Sequence, residues 1–184
     1  MKRVPGLRPL LFVIAALSLA AACAAPAGLR APDVPYEPSA PQVVQTMIEL
    51  AGIRPGELVF DLGCGDGRVV IAAVRERGAR GVCIDIDPGR IDEARANAAR
   101  AGVADRILFI NQDLFDVDLR GADVVMLFLW PQVNLKLRPK LRAGLRPGAR
   151  LVSHWHDMGD WTPDRTVRMS VDGRERPIYL WTVR

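Results

Sequence analysis

The chain has 184 residues, 49% of them hydrophobic, which is enough apolar side chain for one ordinary domain with a sizeable core. Its formal charge of +4 is concentrated at the start, where Lys2, Arg3 and Arg8 stand among 25 residues without an acid; the remainder carries 22 basic against 21 acidic side chains, a net +1. A general nucleic-acid footprint is not supported by that balance, and Cys23, Cys64 and Cys83 are too few and too scattered for a disulfide framework or a zinc site, so Cys64 and Cys83 read as buried thiols.

Residues 1–25 combine a basic start, an apolar run over 10–19 and a small-residue tail, Ala20-Ala21-Ala22-Cys23-Ala24-Ala25. This is the pattern of a secretory signal peptide. The tail also resembles a bacterial lipobox with Cys23 as the lipidated residue, and an uncleaved membrane anchor is a third reading. Three bases precede the apolar run while Asp33 and Glu37 follow it with only Arg30 between, so the charge bias puts the domain on the outer, periplasmic side of a bacterial envelope. An inward-facing anchor is the alternative.

Residues 26–41 are rich in proline and alanine and read as an extended linker, within which Val34-Pro35-Tyr36-Glu37-Pro38-Ser39 is a polyproline-like stretch. Residues 42–51 place Val43, Val44, Met47, Ile48 and Ala51 at helical spacing and stop at Gly52. This helix is expected to cover the turn that follows. Leu58-Val59-Phe60 is a short apolar strand, Gly63, Gly65 and Gly67 remove three Cβ atoms at a sharp turn, and Val69, Val70, Ala73 and Val74 resume helical spacing.

The glycine spacing is G-x-G-x-G with Arg68 in the sixth place, which departs from the G-x-G-x-x-G dinucleotide fingerprint. Asp61 and Asp66 flank the turn and would repel a pyrophosphate while attracting a ligand that bears positive charge. V-F-D-L-G-C-G-D-G-R is similar to motif I of the class I S-adenosylmethionine (SAM)-dependent methyltransferases. P-Y-x-P upstream of it resembles the same segment in a family of membrane-anchored protein-lysine N-methyltransferases. That family includes the mitochondrial enzymes acting on ATP synthase subunit c and the adenine nucleotide translocase, together with bacterial exported relatives. The resemblance spans residues 33–183. It implies an α/β fold, a Rossmann-like seven-stranded sheet with a C-terminal antiparallel hairpin over residues 42–184, with SAM as cofactor and S-adenosylhomocysteine as product. The cofactor-binding residues it implies are Tyr36, Asp61, Gly63, Cys64, Gly65, Asp85, Ile86, Asp113 and Leu114.

The remaining elements fit that expectation. Residues 81–85 form a second buried strand, and Asp85 lies about 20 positions beyond the glycines, where an acid accepts hydrogen bonds from ribose hydroxyls. Asp87 caps a helix that Pro88 opens and Gly102 ends. A third strand over 106–110 leads to Asp113, read either as the acid that meets the adenine amine in the resembled families or as a helix cap. Residues 122–129 are almost uninterrupted apolar sequence, the signature of a central parallel strand. They run into Leu129-Trp130-Pro131-Gln132, where several amino-group methyltransferases carry N-P-P-Y or D-P-P-Y; F-L-x-P instead resembles the protein-lysine family.

Phe128, Trp130, Pro131 and Trp155 form the expected substrate pocket, apolar enough to depress the pKa of an incoming lysine. His154 and His156, the only two histidines, close a fifth strand over 149–153 and share one face if that strand continues. They are candidate proton acceptors, equally readable as structural side chains, and no metal site is assigned. The basic run over 135–150 reads as a solvated helix face or as a contact for anionic lipid or an acidic partner. Residues 166–171 and 177–183 form a hairpin. The function expected is methyl transfer to a protein lysine. A small-molecule acceptor, or an exported SAM-binding protein without catalysis, is the alternative, and no nucleic-acid partner is expected.

Overall fold

The computed structural model describes residues 29–184, so the leader and Cys23 lie outside the described residues. Seven strands form one sheet in the order β3-β2-β1-β4-β5-β7-β6. They are β1 (Leu58–Leu62), β2 (Arg80–Asp85), β3 (Ile107–Asn111), β4 (Val124–Leu127), β5 (Arg150–His154), β6 (Arg165–Val171) and β7 (Arg174–Thr182). The first five run parallel; β7 pairs antiparallel with both β5 and β6.

Four helices cover the two faces: α1 (Pro41–Ala51), α2 (Arg68–Arg77), α3 (Pro88–Arg100) and α4 (Pro131–Gly144). Alternation along the strands sorts the core. Val59 of β1 and Met126 of β4 face the layer that holds α1, α2 and α3. Phe60, Leu62, Val125 and Leu127 face the layer that holds α4.

Turn chemistry sets the edges of the sheet. Asp172 and Gly173 both have positive φ, 51° and 71°, as a two-residue type I′ turn requires. The hairpin is therefore tighter than the sequence suggested, and β7 begins at Arg174 rather than at Pro177. At the start of the domain, Arg150 donates to the carbonyls of Ala51 and Gly52 and pairs with Glu57, closing the C-terminal end of α1 with positive charge.

Helix α1 packs on α2, β5 and β7, its apolar face in one cluster with Val152, Ile178 and Cys64 of the glycine turn, and Met47 lines the same cavity as Gly63 and Gly65. Tyr36, in the extended segment before the helix, also lies against the turn.

Gly81 shows how closely α2 sits on β2. A Cβ there would stand 2.5 Å from Val70 Cγ2 and 3.1 Å from Ile107 Cγ1, both in the buried core. Gly81→Ala is expected to destabilise the domain by ~1 to 3 kcal/mol through overpacking, read as a lower urea midpoint with an unchanged slope.

Candidate cofactor and active site

The parallel register brings the site residues to the C-terminal ends of β1, β2 and β4, where sheets of this winding bind ligands. Asp61 stands beside Cys83, and Leu62 stands beside Ile84 on one side and Leu127 on the other. Beyond Leu62 the chain turns through Gly63, Gly65 and Gly67, with φ of 74°, 54° and 79°. Three backbone N–H groups tie this turn to the end of β2. Gly63 and Cys64 donate to the Ile84 carbonyl at 2.9 and 3.0 Å, and Gly65 donates to Asp85 Oδ2 at 2.9 Å.

A cavity opens over this junction. Asp61, Gly63, Cys64, Gly65, Asp85 and Ile86 line its floor, and Tyr36, Asp113 and Leu114 its sides. The structure thus brings all nine expected cofactor residues together. Phe128 joins them from the end of β4, whereas Trp130, Pro131, His154, Trp155 and His156 do not reach the cavity wall.

Asp61 is 4% exposed, and one of its oxygens accepts the N–H of Val70 in the first turn of α2. Gly67 provides no side-chain cap for that helix, so a carboxylate on the preceding strand satisfies a donor that a capping residue would otherwise take. Burial pushes the Asp61 carboxyl up to about 7, and the neighbouring Asp85 and Asp66 add to the effect. Asp66 itself is held below its ordinary value by Arg68, which also donates to the Ser39 carbonyl.

Several residues of the site were not singled out from the sequence. A Cβ on Gly65 would lie 2.4 Å from the Tyr36 ring, and one on Gly63 would lie 2.8 Å from Leu129. The turn is therefore roofed by protein as well as open to the cavity. Arg90 lies over the Tyr36 ring at 4.6 Å. Arg30 donates to Asp113 at 2.5 Å while Asp113 accepts the Phe115 N–H, so Asp113 caps a local turn and carries an ion pair at once. Arg30 was legible only as one charge in the proline-rich linker.

Cys64 and Cys83 correct the sequence reading. Both are buried, but they form a disulfide across 19 positions with Cα atoms 5.4 Å apart. Their separation along the chain disappears in space because β1 pairs with β2 at Asp61 and Cys83 and the turn folds Cys64 back over that register. Closing a loop of that length restricts the unfolded chain by about 3 kcal/mol.

Residues 61–165 match the ANTKMT methyltransferase domain, more than half of the chain. The chain belongs to this methyltransferase family. It is 37% identical to a protein-lysine N-methyltransferase of Saccharolobus islandicus over 83% of this chain and 95% of that protein. It is also 37% identical to the adenine nucleotide translocase lysine N-methyltransferase of Mus musculus, over 76% of this chain and 61% of that protein. A crystal structure described as an RNA methyltransferase from Salinibacter ruber in complex with S-adenosylhomocysteine shares 50% identity and a TM-score of 0.75. The match covers 80% of this chain and 94% of that one. The fold and the cofactor expected from the sequence, a seven-stranded SAM-dependent methyltransferase, are those of the family.

Within this methyltransferase the acidic floor and the glycine turn fit a cationic cofactor, since a Cβ at Gly63 or Gly65 would intrude on side chains that bound the cavity. Beside the cavity, His154 packs against Phe128 with ring centroids 4.0 Å apart and the planes tilted by 40°. Its Nδ1 shares a hydrogen bond of 3.0 Å with the Ser39 hydroxyl, and its Nε2 is buried without a hydrogen-bond partner among the described residues. Burial lowers its pKa to about 4, with Arg176 and His156 adding to the shift, so the ring is neutral at pH 7.

Strand β5 ends at His154. Trp155 has φ 67° and the His156 N–H turns back to the His154 carbonyl at 2.8 Å. The strand alternation that would have put both imidazoles on one face therefore stops between them. His156 is half-buried against Trp155, its pKa lowered by burial.

The raised pKa of Asp61 fixes the sign of a stability effect. A carboxyl with a folded value near 7 and an unfolded value of about 3.9 favours folding when protonated; that contribution is full at pH 4 and lost as pH rises through 7, by on the order of 4 kcal/mol at most. Asp61→Asn should therefore raise the melting temperature at pH 8 and leave it nearly unchanged at pH 4. Equal shifts at both pH values would contradict the assignment.

Proposed function

We propose that this enzyme methylates the ε-amino group of a lysine in a protein, with the cofactor held by Asp61 at its ammonium, Asp85 at its ribose and Asp113 at its adenine. Tyr36, Gly63, Cys64, Gly65, Ile86 and Leu114 would complete the enclosure. The observation that carries this reading is the end of β4. Where a polar side chain would hold an amide-like or base nitrogen, the chain places Leu127-Phe128-Leu129-Trp130, with Phe128 on the cavity and Trp130 exposed at the start of α4.

Bound SAM supplies a methyl group already activated by its sulfonium. The protein's tasks are then alignment and proton management. Orientation of the acceptor can contribute ~7 to 11 kcal/mol. A free lysine, with a pKa of about 10.4, attacks only as the neutral amine, and burial against Phe128 favours that form. Neither histidine reaches the cavity wall, so His154, packed against Phe128, or His156 beyond it takes the proton through intervening water. Two relatives are named as lysine methyltransferases, which supports a protein acceptor.

An RNA acceptor is the second reading, favoured by the name of the Salinibacter ruber protein. Against it stands the near-neutral charge outside the leader. We further place the domain on the outer side of the cell envelope, held there by the leader or a lipidated Cys23. A disulfide persists in an oxidising compartment, which supports that placement. Among the described residues no helix is long and apolar enough to cross a membrane.

Labelled methyl transfer from SAM should be measured on membrane proteins, on RNA and on small-molecule fractions of the source cell. Label is expected on protein, at lysine by mass spectrometry, and should fall at least tenfold with Phe128→Ala while S-adenosylhomocysteine still binds. Label confined to RNA or to small molecules would refute the lysine reading.

A further inference from the structure

The glycine turn and the end of β2 are joined by a covalent bond that takes no part in methyl transfer itself. Cys64 stands between Gly63 and Gly65 and lines the cavity. Cys83 is wholly buried in β2, two residues before Asp85. We propose that Cys64 and Cys83 form a reversible redox modification site that sets the affinity of the cofactor cavity, the disulfide form binding tightly and the dithiol form weakly.

Position is the first argument. The bond spans the two elements that carry the acidic floor, and the turn's other tethers to β2 are three hydrogen bonds, to the Ile84 carbonyl and to Asp85. Breaking it frees Cys64 in a segment of three positive-φ glycines, which are free to take other backbone conformations. Gly65 N–H and the Asp85 carboxylate then no longer share an enforced geometry. Ligand contacts on both sides of the junction lose their mutual register.

Access is the second argument. Cys83 is 0% exposed and Cys64 is 6% exposed, and Cys64 meets solvent through the cavity. A dithiol reductant therefore attacks the Cys64 sulfur as a thiolate. The S–S bond breaks, Cys83 leaves as a thiolate and takes a proton, and the reductant's second thiol displaces Cys64. Two electrons and two protons pass from the dithiol, which ends as a disulfide, to the cysteine pair; a disulfide oxidant reverses the sequence. A ligand in the cavity stands in the path of attack. By linkage, whatever factor reduction takes from cofactor affinity, the cofactor returns as protection of the bond.

The proposal rests on the cavity being the cofactor site, and the test separates the two. The full-length chain carrying Cys23→Ala, in detergent, leaves only this pair of cysteines. Thiol counting is expected to give none after aerobic purification and two after treatment with a dithiol. Calorimetric titration with S-adenosylhomocysteine should show affinity weaker by about fivefold or more in the reduced protein, with the near-ultraviolet circular dichroism retained. Saturating S-adenosylhomocysteine should shift the dithiol–disulfide equilibrium of the pair toward the disulfide by the same factor. Cys64→Ala with Cys83→Ala should reproduce the weak binding and ignore the dithiol. Free thiols after aerobic purification, a smaller affinity difference, or loss of tertiary structure on reduction would each overturn the proposal, the last by making the bond a staple of the fold. Binding by neither form would overturn the cofactor assignment itself.

Discussion

The structure depends on one junction, where the backbone leaving β1 is hydrogen-bonded to the end of β2. Gly63, Cys64 and Gly65 donate in succession to Ile84 and Asp85, and no side chain at the two glycines could occupy that space without displacing Leu129 or Tyr36. Three features of the site depend on this contact. It directs α2 so that the Val70 N–H meets Asp61, and it holds Asp85 at the cavity floor. It also brings Cys64 within bonding distance of Cys83.

The same junction concentrates negative charge where burial disfavours it. Asp61 lies inside the core at the end of a strand whose other residues are apolar, and its proton is retained close to neutrality. A carboxyl kept in such a place lowers stability at working pH, which is the expected signature of a group retained for a charged ligand. Arg68 treats its neighbour differently: it pairs with Asp66, which stays ionised, and donates to the Ser39 carbonyl in the segment that carries Tyr36. The extended segment before α1 is thereby drawn into the site, and Ser39 in turn meets His154 on β5.

The sequence made much of this legible because its strongest signals are local. Period-two and period-3.6 patterning marked the strands and helices, and the glycine turn with its flanking acids pointed to a cationic ligand. The nine residues assigned to the cofactor lie around one cavity. What stayed hidden depends on distance in space. The Cys64–Cys83 bond follows from strand register, and the Arg30–Asp113 pair joins residues 83 positions apart. The turn at Trp155, which separates the two histidines, follows from β5 ending against Pro177 of β7. Patterning of α1 showed which face is buried but not that it meets β5 and β7 as well as the glycine turn.

The central claim is that the acidic floor built at this junction binds the cofactor. Asp85→Asn tests it most directly, because it removes the negative charge while its amide oxygen still accepts one of the two N–H groups, of Gly65 and Asp87, that the carboxylate accepts. Calorimetric titration with S-adenosylhomocysteine is predicted to show affinity reduced by about tenfold or more, a loss of ~1.4 kcal/mol, in a variant that keeps the parent's near-ultraviolet circular dichroism. Unchanged affinity in the folded variant would contradict the account.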